Sequence, residues 1–329
     1  MTSRRRSRPP LLRATGSALL ISVLLAGPAH GQAAIDPNVA PRAAALEREG
    51  ERPMAIDLLG QYLATAPDDG SAWLQLGRFY LADERDWHLA GHRGDPDGVL
   101  YLDFATTAFE QSIRLSVDSG MVFRGYAEVE RGVIMLETSG WNAALASRGH
   151  DTPPIPPYIL ELGANLLSSC PSGGVLLTGT DLESLSAWYG TLESPSVDVL
   201  LIRPDRYATD SLYRLRVAEA MGVDPALPVQ RALAAVAPRR RLCLSPSADS
   251  AAAPALAWMP YRLVRVSGPP GPTTGALTVT ELIKASRGNE SPWVNDVRQV
   301  YDRAAAHNLL LCSSLLLLYG DTPPAACAP

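Results

Sequence analysis

Apolar residues recur at every third or fourth position through the first half of the chain, from about residue 37 to residue 147. Residues that favour turns interrupt this spacing at 49–50, 67–70 and 118–120. Because a 3.6-residue period places such side chains on one face of an α-helix, the spacing predicts a series of amphipathic helices joined by short turns.

After a proline-rich segment at residues 152–157 the period changes, and short apolar runs alternate with helical spacing. Predicted strands cover 174–178, 197–202, 241–245 and 261–266, and predicted helices cover 158–169, 182–192, 210–221 and 229–237. This alternation predicts a small parallel or mixed sheet covered by helices on both faces. Helices at 278–286 and 292–319 are predicted to close the chain, with core candidates Leu309, Leu310, Leu311, Leu315 and Leu318.

Two sets of core positions recur in phase along the helical half. They are Trp73, Leu76, Gly77 and Tyr80 in one type of helix, and Ala55, Leu59, Ala105 and Phe109 in the other. With these spacings the half resembles a short tetratricopeptide array, in which a small residue such as Gly77 admits the neighbouring helix. About sixteen residues more than a repeat allows separate Tyr80 from Ala105, so an insertion at roughly 85–100 is predicted to bulge from a helix hairpin.

The segments GGVLLTGTDLESLSAWY, SVDVLLIRP and PYRLVRV carry a second resemblance. They are similar to the soluble C-terminal part of polytopic bacterial membrane proteins related to protein O-mannosyltransferases. In that family a glycine-aspartate-asparagine-aspartate run precedes a helix with a tryptophan-tyrosine pair. Here the pair Trp188-Tyr189 is kept, but the acidic run has become 179–182, Gly-Thr-Asp-Leu. The resemblance implies a related soluble module and not a transferase, since the sequence shows no counterpart of the membrane-embedded part.

The predicted fold class is therefore α and α/β. Tetratricopeptide-like helical hairpins come first, a small Rossmann-like three-layer module follows, and C-terminal helices end the chain. The predicted boundaries are a signal peptide at 1–31, the helical repeats at 32–151, the α/β domain at 152–271, and the C-terminal helices and tail at 272–329.

The first residues have the layout of a secretory signal, with a basic start, an apolar run at 18–26 and small residues at Ala29 and Gly31. Cleavage is predicted after Gly31, and an uncleaved anchor is the alternative, although the run is shorter than the roughly 20 residues that span a bilayer.

The leader holds five of the 29 basic residues and none of the 34 acidic ones, so the mature chain carries a net charge of about −10. This charge argues against a nucleic-acid partner. We expect a periplasmic or secreted protein that does not span the membrane after cleavage.

All four cysteines lie beyond the leader, where an even number permits two disulfides. A helix from Cys312 to Tyr319 and the eight residues that follow it give Cys327 enough chain to return, so a Cys312–Cys327 disulfide is predicted. Cys170 and Cys243 then pair near the sheet or stay reduced. Four buried thiols are the alternative.

Polar residues follow the first two predicted strands, and they are Thr180, Asp181, Arg203 and Asp205. Because ligands of open α/β sheets bind outside the carboxyl ends of the strands, these four form a candidate small-ligand site, which we call the rim. In the structural alternative Asp181 caps the following helix and Asp205 makes a turn after Pro204.

First-helix positions of the array form a second candidate surface, the groove. Its residues are Leu74, Arg78, Arg124, Glu128 and Arg131, and it is predicted to hold an extended or helical segment of a protein partner. The alternative is that the hairpins pack on the second domain.

Few residues have the spacing of a metal site or of a catalytic motif. His88 and His92, with Asp95 and Asp97 nearby, have the spacing of a helical metal site, but Gly91 and Gly94 weaken a helix there and no further spaced ligand completes the set. No metal and no cofactor is therefore predicted. No GxSxG or HExxH occurs, and His150 and His307 have no evident partners, so an enzyme is not favoured.

The favoured function is an exported adaptor that binds a protein or peptide, and the alternative is a carbohydrate-active or small-ligand-binding envelope protein that uses the rim.

Overall fold

Helices dominate the structure, as the spacing of apolar residues predicts. A computed structural model describes residues 36–92, 96–146, 154–193, 198–269, 277–288, 291–319 and 324–327. Within these residues it has 14 α-helices and one five-stranded sheet, which confirms the α and α/β class at this coarse level. The predicted signal peptide, Asp95, His150 and the side chains of Asp97 and Leu318 lie outside the described part.

The array consists of five helices that stack in order. They are α1 (Val39–Arg48), α2 (Arg52–Leu63), α3 (Gly70–Leu89), α4 (Pro96–Arg114) and α5 (Ser119–Ser139). Each helix contacts the next, and α1 also contacts α3, which in turn contacts α5. Asp69 starts α3 by accepting hydrogen bonds from the amides of Ser71 and Ala72, as an N-cap residue does. Contact between alternate helices is what a stacked helical repeat requires.

The predicted repeat-core positions lie at the contacts between these helices. Ala55, Leu59, Ala105 and Phe109 are completely buried, and Leu76 is almost so. A Cβ atom on Gly77 would lie 2.5 Å from the ring of Phe109, so only glycine permits the close approach of α3 and α4. Trp73 and Tyr80 are half-buried. The indole of Trp73 stays near the surface because its N–H donates to the carbonyl oxygen of Pro67 at 2.8 Å.

The predicted bulge at 85–100 is wrong, since the extra residues lengthen two helices instead. Helix α3 continues to Leu89, and α4 already starts at Pro96. The helical period also continues, because Leu81, Glu84 and His88 are all buried on one face of α3.

The second half surrounds a mixed sheet. Its helices are α6 (Trp141–Ala146), α7 (Pro157–Ser168), α8 (Asp181–Glu193), α9 (Pro204–Thr209), α10 (Ser211–Met221) and α11 (Val229–Val236). Its strands are β1 (Val175–Leu177), β2 (Leu200–Ile202), β3 (Leu242–Leu244), β4 (Trp258–Tyr261) and β5 (Val264–Ser267), in the order β2-β1-β3-β5-β4. Strand β1 is parallel to both β2 and β3, and β5 is antiparallel to β3 and β4. Every residue of β1, β2 and β3 is buried, as continuous apolar runs predict.

Local signals misled the prediction at three places. The strand expected at 261–266 is a hairpin, with Arg262 at a φ of 50° in the turn between β4 and β5. Residues 204–209 form helix α9, where the structural alternative for Asp205 is a turn after Pro204. The helix expected at 292–319 is divided into α13 (Pro292–His307) and α14 (Leu310–Tyr319), after α12 (Thr280–Gly288). The division lies at Asn308, whose side-chain amide donates to the carbonyl oxygen of Arg262 at 3.1 Å.

This division corrects part of the predicted C-terminal core. Leu309 and Leu310 are 71% and 83% exposed, because the chain reorients at Asn308 before α14 begins. Leu311 and Leu315 are buried, as expected.

One hydrophobic core runs from Leu81 of the array through the sheet to Leu315, and a smaller core joins α1, α2 and α3. Helices α8 and α10 both contact α5. The ring of Trp188 on α8 leaves no room for a side chain at Gly132 on α5. The second half therefore partly covers the first-helix face of the array. The domain boundaries at 151 and 271 stay predictions.

Both cysteine pairs lie at disulfide distance. Cys170 at the end of α7 joins Cys243 of β3, and Cys312 of α14 joins Cys327 of the tail, which is the pairing that the sequence favours. Among the described residues, no helix combines the length and the apolar character needed to cross a membrane.

The two disulfides should contribute unequally to stability. The Cys170–Cys243 bond closes a span of 73 residues and the Cys312–Cys327 bond one of 15. In the chain-entropy account, closing these two loops stabilises the folded state by about 4 and about 3 kcal/mol, respectively. We expect the double variant Cys170→Ala/Cys243→Ala to lower the free energy of unfolding more than Cys312→Ala/Cys327→Ala does in urea titrations. The reverse order would show that the first bond does not constrain the core.

The close approach at Gly77 gives a second prediction. Gly77→Leu places a large side chain against Phe109 and should lower the free energy of unfolding by about 1 to 3 kcal/mol. Gly60→Ala in α2 is the matched control, because a Cβ atom there meets nothing within 4 Å. The control should raise stability by up to about 1 kcal/mol through helix propensity. Equal denaturation midpoints for Gly77→Leu and the parent would contradict the packing of α3 on α4.

Candidate functional site

Charged side chains of the array and of the α/β part meet along one line, which we call the charged seam. Its members are Glu84, Arg85, His88, Glu130, Glu137, Asp181, Arg203, Asp205, Arg206 and Asp210. Strands β1 and β2 are parallel and in register, so the residues that follow them, from Asp181 and from Arg203 onward, leave the sheet at the same edge. Helices α3 and α5 supply the opposite side of the seam.

The structure brings three of the four rim residues together in one ion cluster. Arg203 donates to both carboxylate oxygens of Asp205, at 2.6 and 3.0 Å, and also to Asp181. Burial opposes the charge of the Arg203 guanidinium, but these carboxylates outweigh it and raise its pKa. Thr180 has a different place, because its hydroxyl accepts the amide of Glu183 and caps α8. Thr180 therefore takes the capping role expected of Asp181.

A buried carboxylate fills the crevice next to the rim. Strands β2 and β3 lie on opposite sides of β1, so the order reverses there and a ligand crevice is expected. Glu183 occupies it, with Oε2 accepting the amide of Gly179 at 3.0 Å and the hydroxyl of Ser245 at 2.6 Å. Its other oxygen accepts the amide of Ser247 at 2.9 Å. The amide and hydroxyl groups that could donate to the anionic group of a ligand therefore donate to the carboxylate of Glu183.

Glu130 of α5 holds the middle of the seam. Its two carboxylate oxygens lie 3.2 Å from the guanidinium of Arg85 and 2.7 Å from that of Arg206. Burial raises the pKa of Glu130, but the two guanidinium charges outweigh burial and bring it below the ordinary value. This carboxylate is ionised and links α3, α5 and α9.

His88 forms the other end of the seam. Its Nε2 lies 2.8 Å from Oδ2 of Asp210 and 3.1 Å from Oε1 of Glu137. Hydrogen bonds to Asp210 and to Glu137 raise the pKa of His88 to about 9. Glu84 lies one helical turn before His88 and is 2% exposed, and burial together with the charge of Glu130 raises its pKa to about 7.

The histidine pair considered from spacing does not form a metal site. The exposed ring of His92 stacks on Trp87, with ring centroids 4.1 Å apart, while His88 turns toward α5 and α10. The partners of His88 are 49 and 122 residues away along the chain, and the sequence analysis did not predict them. The available signal was the presence of acidic residues, Glu84 and Glu137, on otherwise apolar helix faces.

Residues of the predicted groove contact other residues of the chain. Arg131 pairs with Asp103 at 2.6 Å, and Arg124 pairs with Glu110 and Glu128, so these arginines join α5 to α4 or pair within α5. The exposed Arg78 lies over the ring of Phe123, 5.1 Å from its centroid, and Leu74 packs half-buried on the core. The groove residues thus have structural contacts of their own.

Another surface, absent from the prediction, lies on the lengthened α3–α4 hairpin. Leu89, Val99, Leu100 and Phe104 are 38% to 62% exposed, although all are large and apolar. Leu100 and Phe104 are four residues apart on α4, and the ring of Phe104 lies 5.2 Å from that of Tyr80. We call these four residues the hairpin strip.

Comparison with known proteins gives no relative from which to transfer a role. No family model matches the chain, and neither the curated proteins nor the solved structures contain a significant match. Functional inference therefore depends on the geometry.

The buried position of Glu130 gives a prediction with a matched control. Glu130→Gln leaves Arg206 without its ionic partner and should cost about 2 to 4 kcal/mol of unfolding free energy. Glu219→Gln breaks an exposed i,i+3 pair with Arg216 and should cost at most about 0.5 kcal/mol. Chemical denaturation of both variants at neutral pH measures the difference. An equal loss of unfolding free energy in the two variants would mean that the charged seam is exposed to solvent.

Proposed function

We propose that the protein is an exported envelope protein that binds a protein partner through its tetratricopeptide-like helical array, with the α/β part as a rigid support. The observation that carries this proposal is the hairpin strip. Four large apolar side chains are exposed on one helix hairpin, and exposed apolar patches mark interaction surfaces. Its i,i+4 pair, Leu100 and Phe104, matches the way in which an amphipathic helix docks.

Two observations support export. The leader has the layout of a secretory signal. Both cysteine pairs fit disulfide bonds, which persist in oxidising compartments.

A small ligand at the rim is less well supported. Arg203 is already paired with two carboxylates, and Glu183 fills the crevice beside it. A ligand would have to displace the partly exposed ion pairs of Arg203 or the hydrogen bonds of the buried Glu183 before it made its own.

Site-specific photocrosslinking tests the binding surface. A photoreactive amino acid at position 100 should give a discrete adduct in envelope fractions, and the same group at the exposed position 61 on α2 should not. Adding Leu100→Glu should abolish the adduct formed from position 104, because it puts a charge in the apolar contact. An identical adduct at positions 61 and 100, or none at 100, would contradict the proposal.

Export has its own measurement. We expect the mature protein to begin at or within two residues of Gln32, as N-terminal sequencing of the purified protein will show. Recovery of full-length protein in the membrane pellet would support an uncleaved anchor instead.

A further inference from the structure

His88, Glu137 and Asp210 form a compact set of metal-ligating atoms. They come from α3, from α5 and from the residue that starts α10, and one ligand atom of each lies within 4.8 Å of the others. One imidazole nitrogen with two carboxylate oxygens is a ligand set for a divalent transition-metal ion such as Zn²⁺. Ligand atoms on a tetrahedral ion are about 3.4 Å apart for bonds of about 2.1 Å. The observed separations of 2.8 and 3.1 Å therefore need to widen by only a few tenths of an ångström.

The carboxylate of Asp210 is already oriented for this role. Its Oδ1 accepts the amides of Leu212 and Tyr213, at 2.9 and 3.1 Å, in the N-cap of α10. These hydrogen bonds leave Oδ2 directed toward His88. Arg216 of α10 donates to the backbone carbonyl oxygen of Glu137 at 3.0 Å, which fixes the end of α5 beside it. Such outer contacts are what hold metal ligands in position.

Glu84 supplies an independent indication of a ligand. Its Oε2 is buried and has no hydrogen-bond partner within the described part of the chain. Glu84, His88 and Glu137 line the same cavity of about 100 Å³. A buried carboxylate oxygen without a donor is costly, and a water molecule held on a metal ion in this cavity would donate to it.

We propose that His88, Glu137 and Asp210 bind one divalent transition-metal ion, with Glu84 accepting a hydrogen bond from a water molecule on that ion. The cavity wall formed by Val99, Ile134 and Leu212 leaves the fourth coordination position to this water or to a small ligand. None of the three ligands belongs to the hairpin strip, although Val99 is part of both the strip and the cavity wall.

Zinc binding to the metal-stripped mature protein tests the site. Competition with a chromophoric chelator should show one Zn²⁺ per chain, and His88→Gln and Glu137→Gln should each weaken binding at least tenfold. His307→Gln is the matched control and should bind as the parent does, since His307 is exposed at the end of α13 and does not line the cavity. Parental affinity in His88→Gln, or an equal loss in His307→Gln, would overturn the assignment. So would the absence of zinc binding by the parent.

X-ray absorption of the zinc-loaded parent gives a test that does not depend on folding of the variants. The expected spectrum has one imidazole and otherwise oxygen ligands at about 2.0 to 2.2 Å. Two or more imidazoles, or any sulfur ligand, would overturn the site, because only His88 contributes a nitrogen to it.

Discussion

The contact of Trp188 with Gly132 sets much of the structure, because it brings α8 directly against α5 of the array. A side chain at Gly132 would hold the two helices apart. Their approach turns α5 into a shared element, with α4 on one side and α8 and α10 on the other. Polar residues of α5 that would face solvent in an isolated array, Glu130 and Glu137, are buried as a result. The charged seam follows from that burial, since each buried carboxylate needs a compensating partner.

The glycines of the neighbouring helices serve the same arrangement. Gly163 of α7 and Gly190 of α8 meet where the two helices cross, and a Cβ atom on Gly190 would lie 2.8 Å from the backbone of Gly163. Close crossing of α7 and α8 places α8 between the sheet and the array. Asp181, the first residue of α8, then reaches both Arg203 beside β2 and Arg85 of α3. A cluster that the sequence indicates as a ligand rim serves in the structure as part of an inter-element ion network.

The sequence predicted what local periodicity determines. Apolar spacing located the strands β1, β2 and β3, and the small residue at Gly77 marked a close helix contact. It did not predict the break at Asn308, because that break depends on a hydrogen bond to Arg262, 46 residues away. The partners of His88 were missed for the same reason, since docking of α10 on α5 brings Asp210 to it. For the candidate site, the rim residues could be predicted as a group from the sequence, whereas the seam that they belong to could not.

Two surfaces that the sequence indicates as binding sites make contacts within the chain. Glu183 occupies the crevice of the sheet, and α8 and α10 partly cover the first-helix face of the array at α5. The hairpin strip and the cavity beside His88 are adjacent, because Val99 belongs to both: it lines the cavity and is 38% exposed at the surface. If a partner binds the strip as proposed, it covers a wall of the cavity, and partner binding and occupancy of the cavity should then influence each other. By linkage, any such influence must be equal in both directions.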